Sequence, residues 1–427
     1  MSTPRILTIM GSGETTPTMV STHRSLVSRL AQPARAVVLD TPYGFQENAP
    51  ELAARAVAYF KTSVNIDIAV AGLVRMHDTH EPADAVTIER GLRTLSDADY
   101  VFAGPGSPTY ALRHWRSTQV PRIISDKIER GGIVTFASAA ALTLGRSTVP
   151  VYEIYKVGQD VESLPGLDVM SLLGINAAVI PHFDNTEGGN HDTRFCYLGE
   201  KRLQLFESLI DEDTYVLGVD EHTGLVIDRD AGTARVVGNG TVTLRMRDRS
   251  RVIATGETID IAVLQDPWSA LPGQARTQSV DAMAPVRPED AGPTIGETFE
   301  SSLRRIVEEF TAAIEARDAD AAVGAALALE QAMVDWSHDS LQGDAHDRAR
   351  STLRSMISRL GDASRLGLRD PREVAAPYVE TMLAIRATVR AEKRYDLSDV
   401  IRDAFTALGV EVRDTADGVV WLLADQT

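Results

Sequence analysis

Through its first half this chain alternates short apolar runs with longer amphipathic stretches, and that alternation constrains the fold more than any other feature. Residues 6–10, 36–40, 65–70, 100–103, 133–137 and 177–180 read as strands, and segments such as 50–59 and 82–95 between them have helical periodicity. Strands separated by helices pair in parallel through right-handed crossovers, with helices covering both faces of the sheet. Turn residues gather where these strands end: Gly11-Ser12-Gly13-Glu14, Thr41-Pro42-Tyr43-Gly44, Gly104-Pro105-Gly106-Ser107 and Pro181-His182. In doubly wound sheets that carboxyl edge is where ligands bind.

From 215 to 265 the pattern becomes short alternating strands with turn signals at Arg229-Asp230-Ala231-Gly232 and Gly238-Asn239-Gly240, which predicts an antiparallel meander appended to the sheet. Residues 267–296 are rich in Pro, Ala, Gln and Asp without periodicity and read as a linker. Beyond them the chain is helical almost throughout, closing on a small hairpin of residues 409–412 and 419–422. The expected organisation is an α/β domain over 1–266, a linker over 267–296 and a helical bundle domain over 297–427. The expected fold class is a doubly wound, mostly parallel sheet with an antiparallel extension.

Composition narrows the function. With 43 basic against 60 acidic residues the formal net charge is −17, which disfavours non-specific binding to nucleic acid. Cys196 is the only cysteine, so a disulfide framework and a cysteine-rich zinc site are both excluded, and a reducing cytoplasm fits. No apolar run is long enough to span a bilayer, and Met1-Ser2-Thr3-Pro4-Arg5 leads straight into a strand without the pattern of a secretory leader. The expectation is a cytoplasmic protein away from membranes. Gly11-Ser12-Gly13 lacks the lysine of one phosphate-loop motif and the glycine spacing of the other. No metal and no cofactor are assigned.

One segment points to covalent chemistry. Val134-Thr135-Phe136-Ala137-Ser138-Ala139-Ala140-Ala141-Leu142 is a strand entering a helix with Ser138 at the corner. A nucleophile placed there is pushed to the sheet edge, and the next amide, that of Ala139, can stabilise an oxyanion. The other reading of the same residue is a serine that caps a helix. An activated serine needs a base and the base an orienting carboxylate. His182 follows an apolar strand at the same edge and is the candidate base.

Four segments in order carry a family resemblance. They are Gly131-Gly132 with the Ser138-Ala139-Ala140-Ala141 corner, Val101-Phe102-Ala103-Gly104-Pro105-Gly106-Ser107, Ile180-Pro181-His182-Phe183, and Leu217-Gly218-Val219-Asp220-Glu221-His222-Thr223-Gly224-Leu225. Over residues 5–265 the chain resembles the cyanophycinase and dipeptidase E serine peptidases, whose fold is similar to class I glutamine amidotransferases. The resemblance implies a Ser138–His182–Glu221 triad acting on a small peptide, amide or isopeptide substrate. It gives Gly106 beside Ala139 as oxyanion donor, and Glu153 or Asp220 as alternative acids. Glu14, Ser107 and His191 are candidate pocket residues; His191 also reads as a solvated loop residue. Two positions depart from the family. Phe136 stands where it has glycine two places before the nucleophile, and Pro105, which has no N–H to donate, interrupts the glycine loop.

The C-terminal part carries a second resemblance. Residues 386–403, from Arg386-Ala387-Thr388-Val389-Arg390 to Ile401-Arg402-Asp403, lead into Asp414-Thr415 and Gly418-Val419-Val420-Trp421. This run is similar to the tRNA-binding end of cysteinyl-tRNA synthetases, departing at Thr388-Val389 and Leu397-Ser398. The catalytic His-Ile-Gly-His and Lys-Met-Ser-Lys-Ser segments are absent, which excludes aminoacylation. The arginines between Arg348 and Arg372, with Arg386, Arg390, Lys393 and Arg394, could contact tRNA. A bundle reused for homodimerisation or regulation is the other reading. For the whole chain the leading expectation is a serine hydrolase. The alternatives are a non-catalytic tRNA- or protein-binding protein, and a hydrolase or transferase acting on an aminoacyl- or peptidyl-tRNA-linked substrate.

Overall fold

The computed structural model describes residues 3–77, 84–185, 192–269, 298–336, 345–366, 371–415 and 418–423. The first strand, β1 (Arg5–Met10), leads through α1 (Pro17–Ser28) to β2 (Ala36–Val38), α2 (Ala49–Tyr59) and β3 (Ile68–Val70). Then follow α3 (Ala85–Asp97), β4 (Tyr100–Ala103), α4 (Pro108–Trp115), α5 (Val120–Arg130), β5 (Gly132–Ala137) and α6 (Ser138–Leu142). These strands pair in parallel in the order β1-β5-β4-β2-β3.

Alternation along each strand sends side chains to opposite faces, and here both faces are covered. Leu7, Ile9, Val101, Val134 and Phe136 enter a core with residues of α3, α4 and α5. Ile6, Met10, Tyr100, Phe102 and Ile133 enter another with residues of α1 and α2.

After two short strands, β6 (Ser147–Thr148) and β7 (Leu164–Pro165), comes β8 (Ala177–Ile180), then α7 (Gly199–Leu209) and β9 (Tyr215–Val219). They are followed by β10 (Thr223–Asp228), β11 (Thr233–Gly238), β12 (Thr241–Met246), β13 (Arg249–Ala254), β14 (Thr258–Asp260) and α8 (Ala262–Gln265). Two expectations are corrected here. The sixth strand, β8, does not join the main sheet, and the meander is not appended as one piece. β10 takes the free edge of β1, so β10, β11 and β14 extend the main sheet to eight strands. β8 instead pairs in parallel with β9, and β12 and β13 complete a separate four-stranded sheet. Both sheets bury side chains in one core, where Val134 and Leu225 of the first share a cluster with Val179 and Leu217 of the second. Pattern alone could not assign β8, because an apolar strand satisfies either sheet. The third strand also begins later than expected. A wider helical turn, Phe60–Val64, continues α2 and ends at Asn65 in a left-handed conformation.

The chain divides into two compact units: among the described residues, one holds those up to Phe299 together with Val334–Trp336, and the other holds Glu300–Met333 and those from Ala345 onward. The expected linker lies outside the described residues except for 267–269. The second unit is helical: α9 (Phe299–Glu315), α10 (Ala319–Asp335), α11 (Ala345–Leu366), α12 (Pro371–Ala391) and α13 (Tyr395–Ala407). It closes on a hairpin of β15 (Val410–Thr415) and β16 (Gly418–Leu423), whose Val410 and Trp421 are buried with Val379 of α12 and Phe405 of α13. Among the described residues no helix is long and apolar enough to cross a membrane. The protein is thus α/β with a large parallel-rich sheet, followed by a helical region.

One buried polar group ties the turn after β1 to the sheet. His23 on α1 is fully buried among Tyr59, Phe60 and Phe102. Its Nε2 donates to the Glu14 carbonyl at 2.7 Å, so its Nδ1 accepts from the Tyr100 hydroxyl, also at 2.7 Å. Burial lowers its pKa to about 4, outweighing the bond to Glu14. An unfolded chain takes up that proton near pH 6.5, so folding stability falls as pH drops from 6.5 towards 4, by roughly 3 kcal/mol for this group alone. The His23 ring resonances are expected not to titrate between pH 7 and 5 in NMR spectra. A midpoint near 6.5 would contradict this account.

Candidate active site

Ser138 sits where β5 turns into α6, with φ 49°. A left-handed conformation at a non-glycine residue costs on the order of 1–3 kcal/mol and persists only where its surroundings enforce it. Here it turns the hydroxyl off the end of the strand. His182, directly after β8, also has a positive φ, 49°. Ser138 Oγ and His182 Nε2 lie 2.9 Å apart, and His182 Nδ1 lies 3.0 Å from Glu221 Oε1. An ionised carboxylate only accepts hydrogen bonds. Nδ1 therefore donates to Glu221, and Nε2 is left to accept from the Ser138 hydroxyl.

Burial opposes ionisation of Glu221, but the bond from His182, the nearby His182 and His222 rings and the bond from Asn185 outweigh it, holding the carboxyl below its ordinary value. Asn185 Nδ2 donates to the same Oε1 at 3.2 Å, and the Glu221 amide donates to Asp184 at 2.7 Å. Both partners follow His182 closely in sequence, yet sequence reasoning missed them because a loop pattern does not show which side chains fold back. The Gly11-Ser12 turn seats the Glu221 loop. A Cβ on Gly11 would lie 2.0 Å from the Asp220 carbonyl oxygen, and Ser12 Oγ accepts the His222 amide at 3.2 Å.

The other candidate carboxylates lie elsewhere. Asp220 Oδ2 accepts from the Thr241 amide at 2.8 Å and the Thr241 hydroxyl at 2.7 Å, tying the loop to β12. Glu153 accepts from Thr109 at 2.5 Å. Of the three, Glu221 meets His182. Ser107 caps α4 by accepting the Tyr110 amide at 3.2 Å, and Glu14 is fully buried beside Gly104. Neither is among the residues that line the pocket at Ser138. His191 lies outside the described residues.

That pocket measures about 220 Å³. Pro105, Gly106, Tyr152, Tyr155, Lys156 and Tyr197 are among the residues that border it. Tyr155 and Tyr197 stack with ring centres 4.7 Å apart, and Lys156 Nζ lies 5.1 Å from the centre of the Tyr155 ring. A wider hollow of about 510 Å³ opens near Arg35, Asp67 and Asp97 at the amino ends of β2 and β3, but no serine–histidine pair lines it.

Phe195, Cys196 and Tyr197 all have positive φ, from 55° to 67°. Such a run is costly, at roughly 1–2 kcal/mol per residue. The Phe195 and Cys196 amides offset it by donating to the Phe183 and His182 carbonyls, each at 3.0 Å, which clamps the backbone of the histidine. Burial and the charge of Glu221 push the Cys196 thiol up to about 12, so it stays protonated at neutral pH.

As the second residue of α6, Ala139 has no carbonyl one helical turn back to bond. Gly106 has φ 139°, and a Cβ there would lie 2.0 Å from the Pro42 carbonyl oxygen, so only glycine fits. Phe136 turns into the core, fully buried, with its ring 5.8 Å from that of Trp115. Ala140 belongs to the same buried cluster, and its small side chain leaves room at the corner. Phe136→Ala is therefore expected to cost about 3–5 kcal/mol in urea unfolding, as large-to-small core changes do; a loss below 1 kcal/mol would contradict the packing described.

No family profile matches the sequence. Among curated proteins, the C-terminal region is similar to cysteine--tRNA ligases. That of Pseudarthrobacter chlorophenolicus is 32% identical over 142 residues, 31% of this chain and 26% of the ligase. That of Porphyromonas gingivalis is 37% identical over 84 residues, 18% of this chain and 16% of the ligase. The chain thus spans about a quarter or less of these relatives. Among solved structures, a peptidase from an acI-B1 Actinobacterium aligns with a TM-score of 0.48 and 20% identity, covering 60% of this chain and 97% of that one.

Proposed function

We propose that the first unit is a serine hydrolase that cleaves an amide or isopeptide bond in a small substrate. The observation that carries this reading is the continuous hydrogen-bonded chain from Ser138 through His182 to Glu221, at 2.9 and 3.0 Å, opening on a pocket. Ser138 Oγ attacks the substrate carbonyl while His182 Nε2 takes its proton, and Glu221 stabilises the imidazolium. The Ala139 and Gly106 amides receive the oxyanion. His182 then passes the proton to the leaving nitrogen, and water releases the acyl group from Ser138 by the same route. A pocket of about 220 Å³, below the roughly 300–1,000 Å³ of drug-sized ligand sites, fits a substrate of a residue or two.

The test is mass-spectrometric mapping of a fluorophosphonate adduct. Ser138 is expected to carry it, Ser138→Ala to abolish it, and Glu221→Gln to slow labelling on the order of 10⁴-fold, as loss of the orienting acid does elsewhere. A wild-type protein with no adduct on Ser138 would overturn the proposal.

The likeness of the C-terminal region to cysteine--tRNA ligases favours a second reading, that the helical unit contacts tRNA. Two of the arginines in the resembling run are engaged within the unit. Arg386 makes a two-pronged pair with Asp414 at 2.8 and 3.0 Å, and Arg390 reaches the same carboxylate at 2.6 Å. The tRNA affinity of the full chain is therefore expected to fall with salt less steeply than the number of arginines in the resembling run suggests, since Arg386 and Arg390 are already paired with Asp414. Gel shifts against bulk tRNA measure it, and no binding at low salt would end this reading.

A further inference from the structure

We infer that Glu153 is a positioning residue that straps the oxyanion loop to the turn that carries Tyr155 and Lys156 into the wall of the Ser138 pocket; the inference rests on the hydrolase reading above. Glu153 opens the turn Glu153–Val157, which carries Tyr155 and Lys156 into the pocket wall. Its Oε1 accepts the Thr109 hydroxyl at 2.5 Å, and Thr109 Oγ1 lies 2.8 Å from Ser107 Oγ. Ser107 Oγ in turn accepts the Tyr110 amide at 3.2 Å, while the Ser107 amide donates to Pro42 at 2.8 Å.

The carboxylate sets the direction of this chain, because it can only accept. Thr109 must donate to Glu153, which leaves Thr109 to accept from Ser107 and Ser107 to accept from Tyr110. The loop bearing Gly106 is thus held from two sides. Pro42 packs against it so closely that no Cβ fits at Gly106, and Glu153 holds its far end through Thr109. The second oxygen of Glu153 is buried and makes no hydrogen bond among the described residues. A carboxylate with one oxygen buried and unbonded is costly where an apolar pair would not be. Its place between the oxyanion loop and that turn accounts for it. Glu153 does not touch His182, so it acts on the geometry of the oxyanion hole and not on the proton of the imidazole.

Rates of fluorophosphonate labelling at Ser138 test this, because the phosphoryl oxygen occupies the oxyanion position as Oγ displaces fluoride. Glu153→Ala and Thr109→Val are expected to slow labelling roughly 10- to 100-fold, less than the 10²–10³ of losing a donor outright. The double variant should be no slower than either single one. Glu153→Gln and Thr109→Ser, which keep an acceptor and a hydroxyl, should stay within about threefold of wild type, and the midpoint of the pH–rate profile should not move. Wild-type labelling rates for Glu153→Ala or Thr109→Val would overturn the strap and leave the nucleophile standing. A shifted pH midpoint, with Glu153→Gln as slow as Glu153→Ala, would also overturn it by making Glu153 the acid partner of His182. An unlabelled wild-type Ser138 removes both proposals. Should Glu153→Ala fail to fold by circular dichroism, Thr109→Val decides.

Discussion

The imidazole of His182 lies between a hydroxyl 44 residues earlier in the chain and a carboxylate 39 residues later, and the architecture of the first unit serves that meeting. Each of the three side chains is delivered by the end of a strand or the turn after it. β5 presents Ser138, β8 presents His182, and the turn between β9 and β10 presents Glu221. The strands belong to two sheets, so the site depends on the shared core that holds those sheets together. Packing of that kind yields little to small shifts, which suits hydrogen bonds of about 3 Å.

Strain gathers where the polar groups converge. Ser138 and His182 are left-handed, and so is the run Phe195–Cys196–Tyr197 that clamps the histidine backbone. Conformations of this cost cluster where the surrounding fold over-determines them. Gly11 and Gly106 do the complementary work, since their missing side chains let neighbouring carbonyls close on the loops that frame the site. The two departures from the family pattern then have physical readings. Phe136 is a core residue paired with Trp115, and Pro105 borders the pocket beside the glycine whose amide faces the reacting oxygen in the proposed mechanism.

In the second unit, arginines that read in sequence as a cationic run are divided by the fold. Arg386 and Arg390 converge on Asp414 of the closing hairpin, and Arg372 lies over the Trp421 ring. A pattern of charges along a helix says where cations are in the chain. Which of them remain for a partner depends on which acids the tertiary fold brings alongside.

Much of this was legible from residue order. Short apolar strands between helical stretches determined the parallel sheet, because strands joined through helical crossovers leave few other arrangements. Ser138 and His182 could be placed at the carboxyl edge for the same reason. The sequence also named three carboxylates that could serve His182, and it was the family resemblance of the surrounding segment, not residue pattern, that favoured Glu221. Only the tertiary structure brought Glu221 to the ring, sent Asp220 to Thr241 and Glu153 to Thr109, and turned Ser107 and Glu14 inward. The same is true of β8. Its apolar residues satisfy either sheet, and the capture of the β1 edge by β10 decided between them. Secondary structure follows from periodicity within a segment, whereas the partner of a hydrogen bond follows from which distant segments close on one another.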